Sequence, residues 1–111
     1  SISVKEPVQG LALSNAYREA VTSYAKTLAN EIASEGITVN GVGPGYTATE
    51  RLGEVVGEGR PMETLKATVP LKRFASPDEV AAVCVFLASQ QAGYLTGQTI
   101  FADGGFLSSV H

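Results

Sequence analysis

The residues best suited to chemistry in this chain are concentrated in one run, Gly36-Ile37-Thr38-Val39-Asn40-Gly41-Val42-Gly43-Pro44-Gly45-Tyr46-Thr47-Ala48-Thr49. Ile37 and Val39, with Thr38 between them, read as a short buried strand because β-branched residues fit a pleated sheet. The strand opens at Pro44-Gly45 into a turn that carries the hydroxyls of Thr47 and Thr49. At the carboxyl end of a sheet strand, such a turn offers backbone and threonine groups to a ligand. Gly41, Gly43 and Gly45 imitate a dinucleotide fingerprint, but Tyr46 stands at the third glycine position and Pro44 interrupts the turn. Other reactive types are sparse. Cys84 lies in an apolar helical stretch and is expected in the core. As the single cysteine it excludes an internal disulfide and a Cys-based zinc site, and no metal site is expected. Asp78 and Glu79 read as helix-start residues, not an acid–base pair.

Those groups need elements to hold them. Apolar pairs Ala16/Tyr17, Ala20/Val21, Tyr24/Ala25, Leu28/Ala29 and Ile32/Ala33 recur every four residues and predict one long helix from Ala12, with an apolar stripe that is either core or subunit interface. Gly36 stops it, since glycine tolerates the left-handed conformation. Weak helical pieces follow at 51–56 and 62–69, with Pro61 suited to begin the second. Ser76-Pro77-Asp78-Glu79 predicts a capped helix start, running to about Ser89 and buried on more than one face. Gly93 to Gln98 reads as a turn, Thr99–Ala102 as a second strand, and Asp103-Gly104-Gly105 as its closing turn. Ser1 to Val4 reads as the end of a strand. Strands separated by helices imply a parallel sheet covered on both faces. Two strands cannot supply one, so the chain reads as part of a larger α/β unit, residues 1–111 forming a single partial domain.

Composition narrows the class. The 111 residues suit one domain, and 44% apolar with 17% charged residues fit a folded protein. A net charge of -3 without a basic tract supplies no attraction for nucleic acid or an anionic membrane. No apolar stretch approaches the ~20 residues of a membrane span. One cysteine fits a reducing, cytoplasmic setting.

Taken together, Leu28-Ala29-Asn30-Glu31-Ile32, Gly36-Ile37-Thr38-Val39-Asn40, Pro44-Gly45 followed by Thr49, Ser76-Pro77-Asp78-Glu79-Val80-Ala81, and Leu95-Thr96-Gly97-Gln98 through Asp103-Gly104-Gly105 resemble, in order and spacing, the carboxyl-terminal portion of a short-chain dehydrogenase/reductase. The flavour is that of members acting on 3-oxoacyl carrier protein and related ketones or alcohols. The resemblance implies a doubly wound Rossmann-type parallel sheet, here incomplete, that binds NAD or NADP. It implies a small carbonyl or alcohol substrate, a homo-oligomer (dimer or tetramer), and cofactor contacts from Arg18, Pro44, Gly45, Thr47 and Thr49. Segment 46–70 would be the substrate lid.

The same resemblance exposes an unusual active site. The family places a catalytic Tyr and, four residues on, a Lys; a Ser thirteen residues before the Tyr polarises the substrate oxygen. In this register the Tyr position is Ser14, the Lys position Arg18, and the serine position Ser1. No other register helps: the fourth residue after Tyr17, Tyr24, Tyr46 and Tyr94 is Val21, Leu28, Glu50 and Gln98. A tyrosine phenol, pKa about 10, can be tuned by a cation; a serine hydroxyl is a far weaker acid and needs a separate base. Arginine holds ribose or phosphate oxygens but does not relay protons. Ser1, Ser14 and Arg18 are therefore the candidate catalytic residues of an altered site. Tyr17 is the nearest phenol along the helix, about 60° around from Ser14.

Overall fold

The computed structural model describes residues 1–56 and 61–110. Helix α1 (Ala12–Ile32) is continuous because no glycine or proline interrupts it. It tightens into a 3-10 turn over Ala33–Glu35 and stops at Gly36, whose φ of 76° is left-handed. Strand β1 (Gly41–Pro44) pairs in parallel with β2 (Thr99–Ala102), Gly41 opposite Thr99 and Pro44 opposite Ala102. Between them come α2 (Glu50–Val56), α3 (Met62–Thr68) and α4 (Pro77–Leu87). The architecture is the α/β one expected, with a two-stranded parallel sheet.

The first strand lies later than the β-branched run predicts. Ile37–Val39 is not strand. The partner decides this: β2 begins at Thr99, so the ladder begins at Gly41. The preceding backbone satisfies its hydrogen bonds on the 95–98 turn instead. Val39 N donates to Thr96 Oγ1 at 3.1 Å, Gly97 N to Val39 O at 2.7 Å, and Asn40 clamps the turn through Nδ2 to Leu95 O and Oδ1 from Gln98 N. Glycine is required within β1, because a side chain at Gly43 would overlap the Phe101 ring. Pro44 closes the strand, where a missing N–H is tolerated.

Ser1–Val4 is also not strand. Ile2–Val4 forms a 3-10 turn, capped by Ser1 Oγ accepting from Ser3 N, with Lys5 N and Glu6 N donating to Ile2 O. Pro61 precedes α3 as its N-cap instead of opening it. The start of α4 forms the expected capping box: Ser76 Oγ accepts from Glu79 N and Glu79 Oε2 from Ser76 N.

Among the described residues the enclosed apolar core is small: Ile2, Ala29, Leu52, Leu65, Val69 and Ala92. Two burial expectations fail for one reason. No residue of α4 is buried, and Cys84 is exposed, because the strands cover only one side of the helix. Along α1 the stripe is open from Tyr17 to Tyr24, 73% and 68% exposed, and only Ala29 of it joins the core. Among the described residues, no helix is long and apolar enough to cross a membrane.

The capping box carries a charge. Arg73 grips Glu79 with two bonds, Nη1 to Oε2 at 2.8 Å and Nη2 to Oε1 at 2.7 Å. That pair first, and the Ser76 N–H second, lower the Glu79 carboxyl from its ordinary value to about 2. A carboxylate held low in the folded state stabilises the fold above its unfolded pKa, and this is lost as pH falls toward the folded value. Thermal unfolding followed from neutral pH down to about pH 2 will therefore show an acid loss that Glu79→Gln flattens. An unchanged acid profile in the variant would refute this link.

Candidate functional site

Parallel pairing delivers both strand ends to the same side of the sheet. β1 ends at Pro44 and β2 at Ala102. The turn after β1 is then fixed at three places. Gly45 N donates to Ala102 O at 3.0 Å, Ala75 N to Tyr46 O at 3.0 Å, and Ala48 N to Ala75 O at 2.8 Å. Gly45 has no room for a side chain, since a Cβ there would stand 2.7 Å from Asp103 Cα. Asp103 must stay in place, because its carboxylate accepts from Gly105 N and Leu107 N, both at 2.9 Å. Gly45→Ala will consequently destabilise the fold by about 1–3 kcal/mol through overpacking. A denaturant midpoint equal to the parent's would contradict this.

A cavity of about 780 Å³ opens over this turn. Its wall contains every residue named from the sequence as a candidate: Ser1, Ser14, Arg18, Pro44, Gly45, Thr47 and Thr49. Helix α1 contributes Ser14 and Arg18 one turn apart, with Arg18 Nε donating to Ser14 Oγ at 3.0 Å. Ser1 Oγ is occupied as an acceptor from Ser3 N and Ser3 Oγ. Thr47 Oγ1 donates to Gly45 O at 3.2 Å, which leaves its lone pairs to accept.

The remaining wall was not named residue by residue from the sequence, although part of it falls in the expected lid, 46–70. The loop Val8–Leu11 closes one side; it is tied to α1 by Asn15 Nδ2 donating to Val8 O at 2.9 Å. Leu52, Val56 and Leu65 bring an apolar face from α2 and α3. Tyr46 lines the cavity as well, its ring edge-on to Phe106 at 5.1 Å and to Phe74 at 6.3 Å between centroids. Its place between Gly45 and Thr47 was the available signal. Tyr17, by contrast, is absent from this wall and faces a separate trough of about 740 Å³ between α1 and the strands. Residues 57–60, within the expected lid, and His111 lie outside the described residues.

The donor set has one chemical character. The described residues lining the cavity include two arginines and several hydroxyls but no Asp, Glu or His. That set suits an oxygen-rich or anionic ligand. Among the described residues, no three His, Cys, Asp or Glu side chains gather as a metal site would need.

A parallel β-α-β arrangement with a cavity beyond its strand ends is the ligand-facing part of a doubly wound α/β fold. The comparisons agree. A family profile described as enoyl-(acyl carrier protein) reductase matches residues 1–107. The chain is 40% identical over 105 residues to an acetoacetyl-CoA reductase of Shinella zoogloeoides, covering 95% of this chain and 43% of that one. It is 34% identical over 115 residues to the NADPH-dependent reductase BacG of Bacillus subtilis, covering 96% and 44%. Among solved structures, a variant of actinorhodin polyketide ketoreductase with NADPH superposes with a TM-score of 0.91 at 30% identity, covering 98% of this chain and 45% of that one. The chain belongs to the short-chain dehydrogenase/reductase family and matches the carboxyl-terminal part of its Rossmann fold. It spans less than half the length of the curated relatives it matches.

Proposed function

We propose that this chain forms the nicotinamide-side half of an NAD(P)-dependent reductase that interconverts a ketone and an alcohol, with a 3-oxoacyl compound as the favoured substrate type. The observation that carries the proposal is the meeting of Ser14, Arg18, Pro44, Gly45, Thr47 and Thr49 on one cavity wall at the strand ends. Its cation and hydroxyls fit the amide, ribose and phosphate oxygens at the nicotinamide end of such a cofactor. When bound, that cofactor supplies the hydride. NADPH is favoured as the probe because BacG and the ketoreductase structure are described with it.

The chain's own residues would act as follows. Arg18 keeps its outer nitrogens for ribose or phosphate oxygens while Nε holds Ser14. Ser14 Oγ, accepting from Arg18, has its own proton to offer a substrate oxygen as a hydrogen bond. Thr47 accepts from an amide N–H. Pro44-Gly45 sets the floor, and segment 46–70, whose described part includes Leu52 and Leu65, acts as a lid that excludes water. The open stripe of Leu13, Tyr17, Val21 and Tyr24 supports a homo-oligomer, dimer or tetramer, and the single cysteine fits a cytoplasmic setting.

A second reading is a non-catalytic, cofactor-binding or oligomerising relative. The replacement of Tyr-x-x-x-Lys by Ser14 and Arg18 favours it. Titration of the full-length protein with NADPH and NADH, followed by turnover on a panel of ketones, separates the two. Binding with turnover supports the reductase, binding without turnover the cofactor-binding relative, and the absence of both defeats the reductase and leaves the oligomerising relative.

A further inference from the structure

We propose that Lys72 is a positioning residue of the lid: it holds helix α3, and with it Leu65, against the ligand cavity, and so sets the affinity for the apolar part of the ketone. The proposal rests on the reductase reading above. Among the described residues Lys72 is the one non-glycine residue with a positive φ, 57°. A side chain disfavours that left-handed conformation, so a lysine persists there only where its surroundings hold it.

Those surroundings are visible. Lys72 N donates to Val69 O at 2.8 Å and closes a turn over Pro70 and Leu71. The side chain folds back onto α3, Nζ donating to Ala67 O at 2.7 Å. That carbonyl lies in the last turn of a helix that ends at Thr68. The amide four residues on, Leu71 N, donates instead to Gly104 O at 3.2 Å, so Ala67 O has no partner within the helix. A cation also suits the negative end of a helix. The Leu71 bond seats the turn on the loop that follows β2, and Val69 packs so close there that a Cβ at Gly104 would stand 2.8 Å from Val69 Cγ1. One helical turn before Val69, Leu65 is 4% exposed and lines the cavity. Lys72 is not on that wall, so it acts through α3 and not on a ligand directly.

The test uses the full-length protein with NADPH and ethyl 3-oxohexanoate as the probe ketone, together with hydrogen exchange. Lys72→Met keeps the stem and the left-handed backbone but removes the ammonium. Exchange of the α3 amides is expected to quicken by about three- to tenfold, with those of α1 and α4 near the parent's. KM for the ketone is expected to rise by about the same factor, while kcat and the affinity for NADPH stay within about twofold. Lys72→Arg keeps a cation and is expected to restore both readings. Lys72→Gly separates positioning from stability: glycine accepts the φ, so the thermal midpoint is expected to be no lower than the parent's, yet KM rises as in Lys72→Met. An α3 exchange rate or a ketone KM within about twofold of the parent's in Lys72→Met would overturn the proposal while leaving the reductase reading intact. A parent that binds neither NADPH nor NADH, or that reduces no ketone, removes the reductase reading and this role with it.

Discussion

Ser14→Tyr combined with Arg18→Lys is expected to raise ketone turnover by about 10²-fold or more, the range a well-placed general acid contributes. The two positions lie one helical turn apart on α1, and their side chains already meet, Arg18 Nε donating to Ser14 Oγ at 3.0 Å. A lysine at 18 brings a compact ammonium that stabilises a tyrosinate at 14. Neither single substitution is expected to do as much. Ser14→Tyr alone sets a phenol against a guanidinium already bonded along the helix, and Arg18→Lys alone leaves only a serine hydroxyl to donate. Single-turnover measurements on the full-length protein saturated with NADPH check this directly. A folded, NADPH-binding double variant with no gain would mean that Ser14 and Arg18 do not occupy the Tyr and Lys positions.

Arg18→Ala is expected to weaken NADPH binding by about 10- to 100-fold, corresponding to about 1.5–3 kcal/mol for hydrogen bonds to a charged group. Among the described residues, Arg18 and Arg51 are the cations on the cavity wall, but Arg51 is committed to Glu54 at 2.9 Å. Arg18 has only Ser14 as a side-chain partner among the described residues. Ser14→Ala is the control: it removes the hydroxyl but keeps the guanidinium, and its NADPH affinity is expected to change by no more than about threefold. Equal affinities for the parent and Arg18→Ala, read by fluorescence titration at fixed ionic strength, would place the cofactor's anionic groups elsewhere.

How far the sequence can be read differs from element to element. The start of α4 was legible because its signal is local: Ser76, Pro77 and Glu79 form the capping box among themselves. So was the stop at Gly36, a conformational preference of one residue. The start of β1 was not legible, because a strand exists only where a partner runs beside it, and β2 begins opposite Gly41. Burial was misread at Cys84 for a related reason: apolar character says that a face avoids water, not which surface covers it, and here the sheet covers only one side of α4. In the site, Ser14 and Arg18 were reached through the resemblance to the family, and Pro44, Gly45, Thr47 and Thr49 through the turn they form after a strand. The Val8–Leu11 loop was not reached, because its place in the wall depends on a contact across the fold with Asn15.

By itself the sequence determined the order of elements, the parallel α/β class, and that no Tyr-x-x-x-Lys occurs in it, since each follows from residue types at short separations. Only the tertiary structure decided that Ser1, Ser14, Arg18 and the Pro44–Thr49 turn share one cavity, and that Tyr46 rather than Tyr17 stands in it. Strand pairing is the physical reason. The backbone bonds that align Pro44 with Ala102 set the turn at the strand ends, where it shares the cavity wall with Ser14 and Arg18 of α1.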